Sequence, residues 1–428
     1  MRLGGRLAAA IEVLDDIERR HRPVADALRD WGLSHRFAGA GDRSAIGNIV
    51  YDALRRKRSA GWLLDSDTPR ALGFGALLVE ESLAPHDLNA QIVGDRFAPE
   101  PLSETETATV TAQRNASPPD AVGADCPDWC TALMQQAYGE DWVAEAAALS
   151  KRPPLDLRVN GLKADQDKVI GELEGTSVAR AQLAPMGLRI PPIEGYGRHP
   201  NVQVEPAFQQ GWFEVQDEGS QIVADLAGAR PGMQVLDFCA GAGGKTLALA
   251  ASMRNEGRIV AYDAEKQRLA PIFERMRRSD VTNVEVASRL GTLEEYRGSF
   301  DLVLVDAPCT GSGTWRRRPD TKWRLSDRQL DVRRGEQSEI LERASAFVRP
   351  GGVLVYITCS VFDAENSDQI ARFLDGASGW TPLDHEALWD ERYPGKRDRI
   401  RVSAGGGIRL SPLRTGTDGF YFAALQKV

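Results

Sequence analysis

Two cysteines stand out by the company they keep. In VLVDAPCTGSG, Val303 to Gly313, an apolar run ends in Asp306, and Cys309 follows three residues later behind a proline. In VLVYITCSVF, Val353 to Phe362, a second apolar run ends in Cys359. Short β-branched runs bounded by turn residues read as strands. A lone cysteine in an apolar setting is ordinarily a small core hydrophobe. Two of them, just past the ends of what read as neighbouring parallel strands, would instead open onto one rim with Asp306 beside them. A redox pair is the competing chemistry, but nothing resembles a redox C-x-x-C and cytosolic disulfides are uncommon.

Two thiols and an acid fit methyl transfer to an unreactive pyrimidine carbon. Carbon 5 of cytosine is too weak a nucleophile to take a methyl group unaided. A thiolate adding to carbon 6 makes the ring an enamine, whose carbon 5 can attack a sulfonium methyl. This is covalent catalysis, which divides one hard step into easier ones. A carboxyl group near ring nitrogen 3 stabilises the electron-rich adduct, and a second thiol or base helps remove the carbon 5 proton. The base must be presented unpaired, from a single-stranded loop or by flipping.

A glycine loop supplies the third component. DFCAGAGGKT, Asp237 to Thr246, follows one apolar run and opens a helical one, with Gly241, Gly243 and Gly244 allowing close approach of a ligand to backbone. A phosphate loop needs a glycine five residues before Gly244, where Cys239 stands, and the third glycine of a dinucleotide loop would be Thr246. The next strand ends at Asp263, the place where an acid holds a ribose diol. A glycine loop with a ribose acid and no phosphate cradle suits a nucleoside cofactor such as S-adenosylmethionine. The plainer reading is a turn glycine that any α/β enzyme needs.

The elements that must position these residues are legible in outline. MQVLDFCA, GRIVAYDA, DLVLVDAP and GGVLVYITCS alternate with longer helical stretches, which predicts an α/β domain with a mainly parallel sheet. Ligands of such sheets gather outside the carboxyl ends of the strands. GFYFAALQKV is expected to add an antiparallel edge strand. Residues 1–140 read as helical: Leu3, Leu7, Ile11, Leu14 and Ile17 recur at helical spacing, and Ile46, Ile49, Val50, Ala53 and Leu54 line another helix. Residues 141–207 carry prolines and short runs such as LDLRVN and GLRIPP, the pattern of a small α+β module. Residues 208–428 form the catalytic domain.

A net charge of -8 argues against indiscriminate coating of nucleic acid. The segment Gly311–Arg334 nevertheless holds eight bases against three acids, and RRKR at 55–58 closes a helix. Both have a structural reading, as a solvated face or as cations at a helix C-terminus, beside an RNA-binding one. CPDWC at 126–130 is a weak metal signal, and no metal is expected. No apolar run approaches membrane-spanning length, and the interrupted N-terminal patch reads as an amphipathic helix of a cytoplasmic protein.

Together DFCAGAGGKT, VAYDAEKQRL, DAPCTGSG and TCSVFDAEN resemble the motifs of the NOL/NOP/Sun family of RNA 5-methylcytosine methyltransferases, over about 208–428. RRRPDTKWRLS at 316–326 resembles its bacterial small-subunit ribosomal RNA branch, in which a helical domain similar to NusB precedes the core. The resemblance implies a Rossmann-like core, a NusB-like RNA-binding domain over 1–140, and a monomer acting on RNA, with 16S ribosomal RNA the expected target. Transfer RNA as target, or an assembly factor with weakened catalysis, are the alternatives. It also implies that Cys359 is the nucleophile, that Cys309 assists release, that Asp306 contacts the base and that Lys245 belongs to the catalytic group with them. S-adenosylmethionine would be held by Cys239, Ala240, Gly241, Ala242, Gly243, Gly244, Lys245 and Asp263, with Arg268 in support and Asp306 alongside. Two positions depart from the family: Ala242 stands where a proline is usual, and Ala287-Ser288 where an adenine-contacting aspartate is expected, leaving Ser288 as its substitute.

Overall fold

Apolar residues at helical spacing open the chain. The helix Leu3–Arg20 buries Leu7, Ala10, Leu14 and Ile17 along one stripe. Thr68 caps the helix Pro69–Glu80, and a reciprocal Ser103–Glu106 capping box starts Glu104–Arg114. The structure, a computed structural model, describes all residues 1–428 and divides into two units. The first comprises 1–153 with 192–199 and 315–326, and the second 154–191, 200–314 and 327–428. No helix is long and apolar enough to cross a membrane.

The helical unit recruits the distant segment Trp315–Ser326 through specific bonds. Lys322 Nζ donates to Arg55 O at 3.3 Å and to Ser150 Oγ at 3.0 Å, and Trp323 Nε1 donates to Leu54 O at 2.7 Å. The RRKR cluster is largely consumed in the same place. Arg55 bonds Asp52 at 2.7 Å and Arg316 O at 2.8 Å, Arg56 pairs with Glu80 at 2.6 Å, and Arg58 pairs with Asp128 at 2.6 Å. Lys57 lies over the Trp323 ring. These cations therefore serve the fold. Lys322 and Arg316 of the basic strip are buried as well.

In the second unit, β1 (Leu155–Val159), β2 (Ala179–Arg180), β3 (Gly187–Ile190) and β4 (Phe213–Val215) form an antiparallel sheet in the order β2-β3-β1-β4. The larger sheet has nine strands. Its parallel part contains β5 (Gln234–Asp237), β6 (Arg258–Tyr262), β7 (Val284–Ala287), β8 (Phe300–Asp306) and β9 (Val348–Thr358), in the order β7-β6-β5-β8-β9. Strand order reverses between β5 and β8, so a ligand cleft is expected at their carboxyl ends. The final strand β13 (Phe420–Lys427) runs antiparallel to β9 but is not the edge. After β10 (Trp380–Pro382), the short strands β11 (Arg401–Val402) and β12 (Ile408–Leu410) extend the sheet beyond it. The three-residue strand β12, entirely buried, is too short to declare itself by alternation.

Lys322 gives this architecture a measurable signature. Burial pushes its ammonium down from 10.5 to about 8. Below pH 8 both folded and unfolded chains keep the proton, and the cost of burying the charge stands in full. Between about 8 and 10.5 the folded chain sheds its proton first, which relieves that cost. The stability of the wild type relative to Lys322→Met should therefore rise across this window, by a total on the order of 3 kcal/mol. Denaturation at several pH values checks it, and a flat difference contradicts it.

Candidate functional site

Register between two strands builds the centre of the site. In the β8–β9 pairing Asp306 lies opposite Ile357, and Ala307 N donates to Ile357 O at 2.9 Å. Both chains then turn off the sheet at the same level. Cys309 Sγ and Cys359 Sγ meet at 3.4 Å, each half-buried. Gly313 locks the two turns together: its N–H donates to Cys359 O at 2.9 Å, and a Cβ there would lie 2.1 Å from Gly419 O. Only glycine allows that approach. The neighbouring Cys359 sulfur and burial push the Cys309 thiol well above its ordinary value. Cys309 is thus held as a thiol beside the Cys359 sulfur.

Asp306 sits at the tip of β8, and its Oδ2 accepts from Lys245 Nζ at 2.6 Å. Lys245 comes from the start of the helix Gly244–Ser252, one strand away, and is itself buried. An anion is favoured near that helix N-terminus, so Asp306 suits both its ammonium partner and the helix dipole.

The glycine loop turns on Gly243, which adopts φ +81° and would place a Cβ 2.5 Å from Ile272 Cγ1. At the end of β6, Asp263 holds the loop through Gly241 N at 3.0 Å and its own turn through Glu265 N at 2.9 Å. Arg268 approaches Asp263 at 3.7 Å. Cys239 is held as a thiol by burial and by Asp237, which removes it as a third nucleophile. Ala240 is buried and Ala242 is exposed, its carbonyl accepting from Arg275 at 2.7 Å. The loop, Asp263 and Arg268 therefore come together, as do Cys309 with Cys359 and Lys245 with Asp306. Ser288 does not join them by any hydrogen bond. It lies exposed just past the end of β7.

Two further residues escaped the sequence reading. Arg158 of β1 is buried and donates to Gly244 O at 2.7 Å while also bonding Gln216, and burial pushes its guanidinium down to about 10. An arginine within an unremarkable strand carries no signal of a partner 86 residues away. Asp237, read only as the start of the loop, is fully buried, and burial pushes it up to about 7. Its Oδ2 accepts from Thr246 at 2.6 Å, while Oδ1 is buried with no partner.

That orphan oxygen, a loop no side chain can fill at Gly243 and an acid at the tip of the second parallel strand fit S-adenosylmethionine. Asp263 would take the ribose hydroxyls, the loop backbone the amino-acid portion, and Asp237 a donor at its base. With this cleft at the switch point, the second unit has the build of a Rossmann-like S-adenosylmethionine-dependent methyltransferase. The chain belongs to the 16S rRNA methyltransferase RsmB/F family: residues 226–426 match that family, and residues 126–192 match the ferredoxin-like domain of RsmF/B-like methyltransferases. The probable ribosomal RNA small subunit methyltransferase B of Synechocystis sp. is 32% identical over 98% of both chains. Ribosomal RNA small subunit methyltransferase B of Enterobacter sp. is 34% identical over 70% of this chain and 66% of that protein. A methyltransferase homolog protein from Pyrococcus horikoshii has a similar structure, with a TM-score of 0.58 and 28% identity over 72% of this chain and 98% of that one.

Gly243→Ala tests the loop. A side chain at positive φ against Ile272 costs of order 1–3 kcal/mol, and its relief would displace the backbone that lines the cofactor cleft. Affinity for S-adenosylmethionine, read by calorimetry, should fall about tenfold or more. Unchanged affinity contradicts the assignment.

Proposed function

We propose that this protein methylates carbon 5 of a cytosine in RNA, with 16S ribosomal RNA the target, through a covalent bond between Cys359 and carbon 6. The observation that carries the reading is the 3.4 Å meeting of Cys309 and Cys359 beside the Lys245–Asp306 pair. The names of the relatives support ribosomal RNA as the substrate class.

Each side chain then has one task. Asp306, with the Lys245 ammonium behind it, receives the ring edge that carries nitrogen 3 and the exocyclic amine. Cys359 gives its proton to solvent, and the resulting thiolate forms a bond from its sulfur to carbon 6. Electron density moves to carbon 5. S-adenosylmethionine, held by the glycine loop and Asp263, would supply the electrophilic sulfonium methyl group that carbon 5 takes up. Once the Cys359 sulfur is bonded to carbon 6 it no longer helps to hold the proton on Cys309, so Cys309 can lose it to solvent. Cys309 then takes the carbon 5 proton, the sulfur–carbon 6 bond breaks, and the ring double bond returns with Cys359 free. Every step is a polar two-electron shift, with no oxidant required.

The two cysteines therefore differ in when they act. Cys309→Ser should form the adduct and fail to release it, leaving a protein–RNA complex that survives denaturation in sodium dodecyl sulfate. Cys359→Ala should form none and lose methyl transfer to unmodified small-subunit RNA. The reverse pattern exchanges the roles, and no complex and no transfer with either the wild type or Cys309→Ser contradicts the proposal.

A further inference from the structure

A buried carboxylate with no part in the chemistry above lies directly behind the cysteines. Glu365 is 0% exposed, seated in the short turn Asp363–Glu365 after the Cys359 loop. Its Oε1 accepts from Thr310 N at 2.8 Å and from Gln337 Nε2 at 3.0 Å. Its Oε2 accepts from Thr310 Oγ1 at 2.5 Å and from Ser360 Oγ. Four donors converge on two oxygens, the full complement of an acceptor-only carboxylate. Two of the bonds fall on Thr310, next to Cys309, and one on Ser360, next to Cys359.

A burial this deep needs compensation, and here it is compensated by donors that also fix loop geometry. The two cysteine loops do not depend on it equally. The Cys359 loop has other anchors: Asn366 Nδ2 donates to Ser360 O at 3.0 Å, Ser360 N donates to Thr358 Oγ1 at 3.1 Å, and Val361 N donates to Ser312 Oγ at 2.9 Å. The Cys309 loop is tied to β9 and the Cys359 turn through Ala307 N and Gly313 N, but the side-chain bonds to the two residues that flank Cys309 lead back to one place. Thr310 is held by Glu365, and Pro308 O accepts at 2.9 Å from the same Gln337 amide that bonds Glu365.

We infer that Glu365 is the positioning residue for Cys309: it clamps Pro308–Thr310 so that the Cys309 sulfur stays at the Cys359 sulfur, and it thereby governs release of the methylated RNA rather than attack on it. The inference rests on the cysteine chemistry proposed above. It assigns a function to the glutamate of TCSVFDAEN through another residue, since Glu365 touches neither substrate nor cofactor. The Glu365 charge also contributes to holding Cys309 as a thiol before attack.

The test separates first turnover from later ones in the full-length protein. Glu365→Ala should bind S-adenosylmethionine as the wild type does and complete one methyl transfer per enzyme. Displacement of a proton-accepting group by about an ångström costs on the order of a hundredfold, so its later turnovers should slow by about that factor while the denaturation-resistant RNA complex accumulates. Glu365→Gln keeps an acceptor for Thr310 N and Gln337 and can donate to the two hydroxyls, so it should restore release to within about threefold. Thr310→Val removes one clamp bond without opening a cavity, and should slow release by several-fold with the first turnover unchanged; it decides the matter if Glu365→Ala does not fold. Normal release in Glu365→Ala or Thr310→Val overturns the inference, as does a Gln variant as slow as the Ala variant. Loss of the first turnover in a variant that still binds cofactor overturns it too. Failure of Cys309→Ser, run in parallel, to trap any RNA would instead defeat the underlying chemistry.

Discussion

One strand pairing carries the site. Because β8 and β9 run parallel with Asp306 opposite Ile357, their chains leave the sheet at one level and bring Cys309 and Cys359 to 3.4 Å. A slip of one residue in that register would turn every side chain to the opposite face and separate the sulfurs. The strands resist slipping because both faces are buried: Val303, Leu304, Val305, Leu354, Val355 and Tyr356 lie in two clusters above and below the sheet. Each such side chain contributes roughly 1.5–3 kcal/mol by burial. Core packing and chemistry are thus one constraint.

Around this contact the charges are arranged in pairs. Lys245 meets Asp306, Arg268 approaches Asp263, and the buried Glu365 is neutralised by four hydrogen-bond donors rather than by a cation. Asp237 is the exception, with one buried oxygen unpartnered. An unsatisfied buried acceptor is costly in a finished structure, and its position under the glycine loop makes it a natural contact for a bound ligand.

Local sequence carried the strand ends, the glycine loop and the cysteines, because each is marked by residues whose types change over a few positions. The Rossmann-like core and the helical N-terminal part were legible for the same reason: their periodicities of two and 3.6 persist over whole elements. What escaped depends on partners far along the chain. Nothing in RRRPDTKWRLS says that Lys322 is buried against Arg55 and Ser150 in the helical unit, and the RRKR cluster hides ion pairs to Glu80 and Asp128. The antiparallel strand β13 is flanked by a three-residue strand too short to predict. Arg158 and Glu365 sat in view, but their roles come from bonds spanning 86 and 55 residues.

The central claim is that the methylated atom is carbon 5, reached by way of a bond to carbon 6. Its most direct test uses small-subunit RNA carrying tritium at carbon 5 of its cytosines, incubated with the wild-type protein and S-adenosylmethionine. Carbon 5 must lose its hydrogen before Cys359 can leave, so one tritium should enter water for each methyl group transferred. Methyl transfer with the tritium retained in the RNA would place the reaction on another atom and contradict the account.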